Sequence, residues 1–402
     1  MRRMADDDAP GPGGAGGGFP DFSALPMFGD LAKALAGQGP LNWDAARQFA
    51  QLAATGGTSE TNVEPTLRIA YERLLPIVDL HVRDVTGSDS NAATPSLDLV
   101  TPGVWAHRTL EAYRPLFDRL AVSLGQMTGD DQPAAADPMA SIFAGLSKML
   151  GPSMMGMAIG SMVGRLSTRA FGQFDLPIPR NTTSVEIIPS SVESFATAWE
   201  LPSDEMRLWV VAQELISATV YRHEHARAAI TELVRRHVGA FRPDPSAVAD
   251  RLATLDVDTD NPFESIQRAM SDPEVMLGAV RSEGQIELAP VLDAAIAAVV
   301  GYVDYMVDSV AVRLIGGEAL RIAEAVRRRR IDAGAEDLFV ERLLGLQLTA
   351  AQVQRGKVFV GGVVDRAGEP ALSALFDRAD GLPTPAEIDA PGLWLARLDL
   401  SS

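Results

Sequence analysis

The chain contains no cysteine, which removes disulfides, thiolate nucleophiles and every cysteine-based zinc or iron–sulfur centre. Metal chemistry would have to rest on five histidines and on carboxylates. Basic residues are outnumbered: 35 Lys and Arg against 53 Asp and Glu leave a net charge of −18, which repels phosphate backbones and anionic lipid headgroups. Nucleic acid is not expected as a partner. Long apolar runs are missing too. The longest uncharged one, Met149 to Gly164, lies between Lys148 and Arg165, contains Pro152, and falls short of the about 20 residues a spanning helix needs. It reads as a buried helix of a soluble protein, so stable membrane insertion is not expected. Met1-Arg2-Arg3-Met4 is followed by Asp6-Asp7-Asp8 and by no apolar h-region, which makes a cytoplasmic location the expectation. No Gly-x-Ser-x-Gly elbow supports serine catalysis, and no repeat of 20–50 residues suggests a solenoid.

What is present is mostly helical patterning. Residues 1–38 are rich in Gly, Pro and Asp and cannot bury enough apolar surface to offset chain entropy, so they read as a disordered tail. Asn42 is a good cap for a helix from Trp43 that stops at Gly56-Gly57. Three-to-four spacing of apolar residues then predicts helices over 64–85, 104–127, 141–171, 203–220, 224–241, 245–255, 288–314 and 317–332. Ser184-Val185-Glu186-Ile187-Ile188 is the clearest strand, and Lys357-Val358-Phe359-Val360 is ambiguous between strand and helix. Gly/Asp/Pro-rich stretches at 86–103 and 128–139 read as loops and separate a helical N-terminal lobe, 39–139, from a helical domain, 140–402. The fold class is mainly α, with a short strand or small sheet.

Several local motifs have plain structural readings. Gly156, Gly160 and Gly164 recur every four residues and leave one helix face bare, so another backbone should pack there; leucine is expected to be excluded and alanine tolerated. The methionines around them read as gap-filling core. Arg327-Arg328-Arg329-Arg330 reads as a solvated helix end that complements the helix dipole. Asp256 to Asn261 imitates the start of a calcium loop, but Asn261 and Gln267 stand where Gly and the bidentate Glu belong. His223 and His225 point about 200° apart on a helix and cannot share one ion. His81, His107 and His237 stand singly.

The segment Trp199 to Ser217, with Trp209-Val210-Val211-Ala212-Gln213-Glu214-Leu215-Ile216-Ser217 at its end, resembles the active-site helix of a zincin-like metallopeptidase family. Members of that family are mostly bacterial, are labelled as hydrolases or as deazaflavin-coenzyme-biosynthesis-associated proteins, and carry H-E-x-x-H there. Phe171 to Pro177, Gly301 to Asp308, and Arg342 to Leu346 with Phe359-Val360 beyond agree with the same family in order and spacing, over about residues 40–398. The resemblance implies a zincin-like helical fold for 140–402, a small sheet beside the active-site-type helix, and zinc as the family's cofactor.

H-E-x-x-H uses two imidazoles four residues apart to hold Zn²⁺, with the Glu between them as general base on the bound water. Here the frame is Gln213-Glu214-Leu215-Ile216-Ser217. The resemblance places a third ligand, a Glu, where this chain has Val300 before Gly301-Tyr302. Glu214 keeps the general-base position while Gln213, Ser217 and Val300 occupy the three ligand positions, so no metal is expected to bind. The expectation is a pseudoenzyme whose cleft serves binding or scaffolding, with a protein or peptide partner. Two other readings stand beside it: a metallohydrolase with unconventional ligands, such as Glu214 with Asp304 or Asp308 and a His, and a helical partner-binding module that uses the tail and the Arg run.

Overall fold

Of the chain, the computed structural model describes residues 39–88, 94–125, 138–242, 282–331, 339–346 and 348–400. The expected tail at 1–38, the helix at 245–255 and the aspartate run at 256–261 lie outside them. Among the described residues the elements are α1 (Trp43–Thr55), α2 (Pro65–Thr86), β1 (Ser96–Leu99), α3 (Pro102–Ala112), α4 (Arg114–Gly125), α5 (Pro138–Arg169), β2 (Ser184–Ile187), α6 (Pro189–Ala198), α7 (Ser203–Arg222), α8 (Glu224–Gly239), α9 (Glu283–Leu314), α10 (Ala319–Ile331), α11 (Phe339–Leu343), α12 (Ala350–Ala367), α13 (Ala374–Asp377) and α14 (Pro391–Leu400). The protein is mainly α, with one two-stranded sheet among the described residues.

Local signals set many of these boundaries. Asn42 accepts the N–H of Ala45 at 3.0 Å to cap α1, and Gly56 ends it at φ 60° in the left-handed region. The single helix expected over 104–127 is two, because Tyr113 leaves the helical region at φ −102° and ψ 13°. Pro115 follows in the first turn of α4, where a missing N–H costs nothing. Lys357 to Val360 lies inside α12, whose start is capped by Thr349.

The glycine seam on α5 faces α1. A Cβ built on Gly156, Gly160 or Gly164 would lie 2.3, 2.2 and 2.4 Å from the carbonyl oxygens of Asn42, Ala46 and Ala50. The partners advance together in steps of four, so the two helices run in the same direction with their backbones in contact. Those distances exclude a methyl group as well as a leucine, which corrects the expectation that alanine would be tolerated. A second crossing of this kind joins α9 to α12, where a Cβ on Gly356 would lie 2.0 Å from the Ala297 oxygen and one on Gly301 would lie 2.4 Å from the Gly356 carbonyl.

β1 and β2 pair in parallel, Ser96 with Ser184 through Leu99 with Ile187. β2 is the strand expected at 184–188, whereas β1 falls in a stretch read as loop. Four residues, Ser-Leu-Asp-Leu, carry too little alternation to be recognised without the distant strand that completes their hydrogen bonds. Beneath the sheet the buried Glu186 pairs with Arg180 at 2.8 Å and with Arg108 at 3.1 Å. α7 packs on β2 and also against α9 and α2, so it is enclosed on several sides. α9 is the one described helix long and apolar enough to cross a membrane; its 18-residue window has a mean hydropathy of 1.8, and 67% of that window is buried inside the protein. One hydrophobic core joins Trp105, Phe171, Val211, Val299 and Phe359.

Candidate functional site

Glu214 has no exposed surface, and Gln213 and Ser217 are 3% and 5% exposed, because α7 buries Met206, Trp209, Val210 and Ile216 around them. Four-residue spacing puts Gln213 and Ser217 on one face. Val300 arrives from α9, and these three residues line one cleft together with Tyr221, Asp304 and Arg330. The cleft is narrow, with a cavity volume of about 20 Å³, room for little more than one water molecule. Ser217 donates its hydroxyl to the Gln213 carbonyl of its own helix at 2.8 Å. The Gln213 Oε1 is buried and has no hydrogen-bond partner among the described residues.

Glu214 is turned toward the chain after α5 and does not line that cleft. Its carboxyl accepts the backbone N–H of Phe174 at 3.1 Å. Gly172 makes room for it: a Cβ there would lie 2.6 Å from the Glu214 carboxyl carbon and 2.6 Å from the Glu186 oxygen. The same turn is held by Trp105, whose indole N–H donates to the Gly172 oxygen at 3.0 Å. Burial, and after it the negative charge of Asp175, push the Glu214 carboxyl well above its ordinary value of 4.5; the Phe174 N–H and the charge of Arg180 pull back without reversing this. For Asp175 burial also opposes the charge, but Arg329 and the N–H groups of Gly172 and Phe171 outweigh it and hold that carboxyl below its ordinary value. Two neighbouring buried acids are thus driven apart, Glu214 toward its neutral form and Asp175 toward its charged form.

The arginine run on α10 is not a solvated helix end, which corrects the sequence reading. Arg329 is ion-paired with Asp175 at 2.6 Å, donates to the Arg169 carbonyl and lies 3.5 Å above the Phe171 ring centre. Arg327 holds Asp308 at 2.6 Å, and Arg330 holds Asp304 at 3.2 Å. Arg328 alone is exposed. Consecutive side chains fan out around a helix, and α10 lies in a groove deep enough that three of the four meet acids from other segments. The signal was in the sequence: Ile322, Val326 and Arg329 share an i, i+4, i+7 stripe, so Arg329 sits on the apolar face. Arg330, Tyr221 and Asp175 were not singled out from sequence as site residues.

The histidines lie elsewhere. His223 ends α7 with its Nδ1 2.9 Å from Asp377, His225 is exposed, and His237 is buried with its ring 3.3 Å from the Gln285 amide. Asp304 and Asp308 both face arginines. Among the described residues no group of three or more His, Asp or Glu side chains is placed to hold a metal ion.

Zinc can be tested against the cleft that the family motif would build. The three ligand positions supply an amide, a hydroxyl already donating to a carbonyl, and an alkyl group, and a guanidinium lines the same space. Neutral oxygen donors bind Zn²⁺ weakly, and a fixed cation beside them opposes it further. The residues do not fit the metal.

No curated protein matches the chain at a significant level. Among solved structures, one from Chloroflexus aurantiacus described as a "putative hydrolase with a novel fold" is similar in fold, with a TM-score of 0.55 and 20% identity, over 89% of this chain and 99% of that one. A model of the zincin-like metallopeptidases matches residues 41–395, from before α1 to the middle of α14, and takes in every residue of the cleft. The chain therefore belongs to the zincin-like metallopeptidase family.

Proposed function

We propose that this protein is a family member that works without a catalytic zinc ion, its cleft kept as a binding or scaffolding surface in the cytoplasm. One observation carries the reading. Gln213, Ser217 and Val300, the three positions where the family motif calls for metal ligands, meet on a single cleft and bring neither an imidazole nor a carboxylate to it. A change at one ligand position can be a swap; replacement of all three removes the shell that would hold the ion. The environment of Glu214 supports the same view, since it lies beneath the Gly172–Asp175 turn and accepts a backbone N–H instead of facing the cleft. A carboxyl that does not line the cleft is out of reach of a water there, and a general base needs that reach.

The relative's description as a hydrolase favours a second reading, an active metallohydrolase with other ligands. Elemental analysis of protein purified without chelator separates the two. Less than a tenth of an equivalent of zinc, with peptidase activity indistinguishable from a buffer control, is expected; near one ion per chain would overturn the proposal.

A further inference from the structure

The solvent face of α2 carries an apolar stripe. Tyr71, Val78, Val82 and Val85 are buried on one side of the helix, and on the other Ile69, Ile77 and Leu80 are 48%, 49% and 66% exposed. Arg73 and Asp84, both exposed, fall in the same sector, which at 3.6 residues per turn spans about 80° for all five residues. One exposed apolar side chain is ordinary on a protein surface; three in one sector make an unpartnered face. The two charges within it are open to a partner. The Arg73 guanidinium has none among the described residues, and Asp84 gives Oδ2 to Arg313 of α9 while its Oδ1 stays free and its side chain is 68% exposed. Val312, next to Arg313 and exposed, adds apolar surface at that end.

Along the stripe the order is Ile69, Arg73, Ile77, Leu80, Asp84, and this order is complementary to itself. About a two-fold axis midway between Ile77 and Leu80, an antiparallel copy of α2 sets Ile77 opposite Leu80 and Arg73 opposite Asp84, each pair occurring twice. A slip of one helical turn either way sets Arg73 opposite Leu80 or Ile77 opposite Asp84, a charge against an apolar side chain, so the register is fixed. We infer that α2 is a dimerisation surface whose partner is a second copy of this chain. Ile77 and Leu80 of both copies pack at the centre, and an Arg73–Asp84 ion pair closes each side. Exposed ion pairs contribute little, and a net charge of −18 on each chain opposes the encounter, so association is weak, with a dissociation constant of about 10–100 µM, that of a small transient interface. The dimer does not depend on what the cleft holds.

Sedimentation velocity and light scattering on the full chain, from about 5 to 500 µM, test it. The average mass should rise toward twice that of one chain across this range. Leu80→Glu, Arg73→Glu and Asp84→Lys should each weaken association at least tenfold while melting within about 3 °C of wild type, since all three side chains are exposed. Mixing the two charge variants is the sharper arm. Each sets like charges opposite one another in its own dimer, whereas the mixed dimer has opposite charges at both ends, so an equimolar mixture should regain wild-type association. A wild type that stays monomeric to the top of the range, association unchanged by Leu80→Glu or by Arg73→Glu, or a mixture that fails to recover would each overturn the inference. A monomer whose Leu80→Glu variant melts at least about 5 °C below wild type would overturn it in a particular way, by showing that another part of the same chain covers the stripe.

Discussion

The Glu214 carboxyl accepts the Phe174 backbone N–H at 3.1 Å, which ties the centre of α7 to the turn after α5 through a side chain with no exposed surface. That bond joins two segments 40 residues apart in the chain. Its proton has consequences for stability.

Glu214→Gln is expected to preserve the fold, since an amide oxygen can accept the same N–H. Burial raises the folded-state value of Glu214 above the 4.5 of the exposed group. Above that pH the unfolded chain releases a proton that the native chain keeps, so the native state binds more protons and stability falls as pH rises toward the folded value. The slope is at most about 1.4 kcal/mol per pH unit. The glutamine variant lacks this term. Its melting temperature relative to wild type should therefore climb between pH 5 and 8, and a constant difference across that range would show that Glu214 ionises normally.

Asp175 works in the opposite sense. Its folded value is lowered, so its pairing stabilises the protein above the ordinary aspartate range and is lost as pH falls through the folded value. Arg329→Met should remove that protection and cost about 3–5 kcal/mol, because it leaves a buried carboxylate unpaired. Arg328→Gln, next to it and exposed, should change stability by less than about 0.5 kcal/mol. Urea denaturation of the two variants side by side makes the comparison; similar losses would mean that Arg329 is not buried against Asp175.

Gly160→Ala should destabilise by about 1–3 kcal/mol, and Gly160→Leu by more, since even a methyl group would lie 2.2 Å from the Ala46 oxygen. Gly151→Ala, on the same helix but with nothing within 4 Å of the added carbon, serves as the control and should be neutral or slightly stabilising. A Gly160→Ala variant as stable as that control would mean that α1 and α5 are not in backbone contact.

The ligand positions can also be refilled. Gln213→His with Ser217→His and Val300→Glu should place two imidazoles and a carboxylate around the cleft and raise zinc affinity above that of the wild type. A metal that binds only the folded state raises stability by about 2.7 kcal/mol at a hundredfold excess over Kd, so even a weak site would show as zinc-dependent melting. Adding Arg330→Gln should strengthen it by removing a neighbouring cation. A folded triple variant that ignores zinc would show that the three side chains do not converge as described.

The sequence by itself determined what depends on neighbours along the chain. Asn42 capping α1, the apolar spacing of α7 and α9, the bare glycine face of α5 and the strand at 184–187 are all set within a few residues, where backbone geometry and side-chain period act directly. The frame Gln213-Glu214-Leu215-Ile216-Ser217 could be read for the same reason, and the resemblance implies that it stands where the family carries H-E-x-x-H. What only the tertiary structure decided involves partners far apart in the chain. β1 exists because β2 completes its ladder, Val300 meets Gln213 and Ser217 because α9 packs against α7, and three arginines of one run turn inward because acids from other segments await them. Glu214 followed the same rule: the motif put it beside the cleft, but the space left by Gly172 turned its carboxyl under the neighbouring chain, where burial decides its charge.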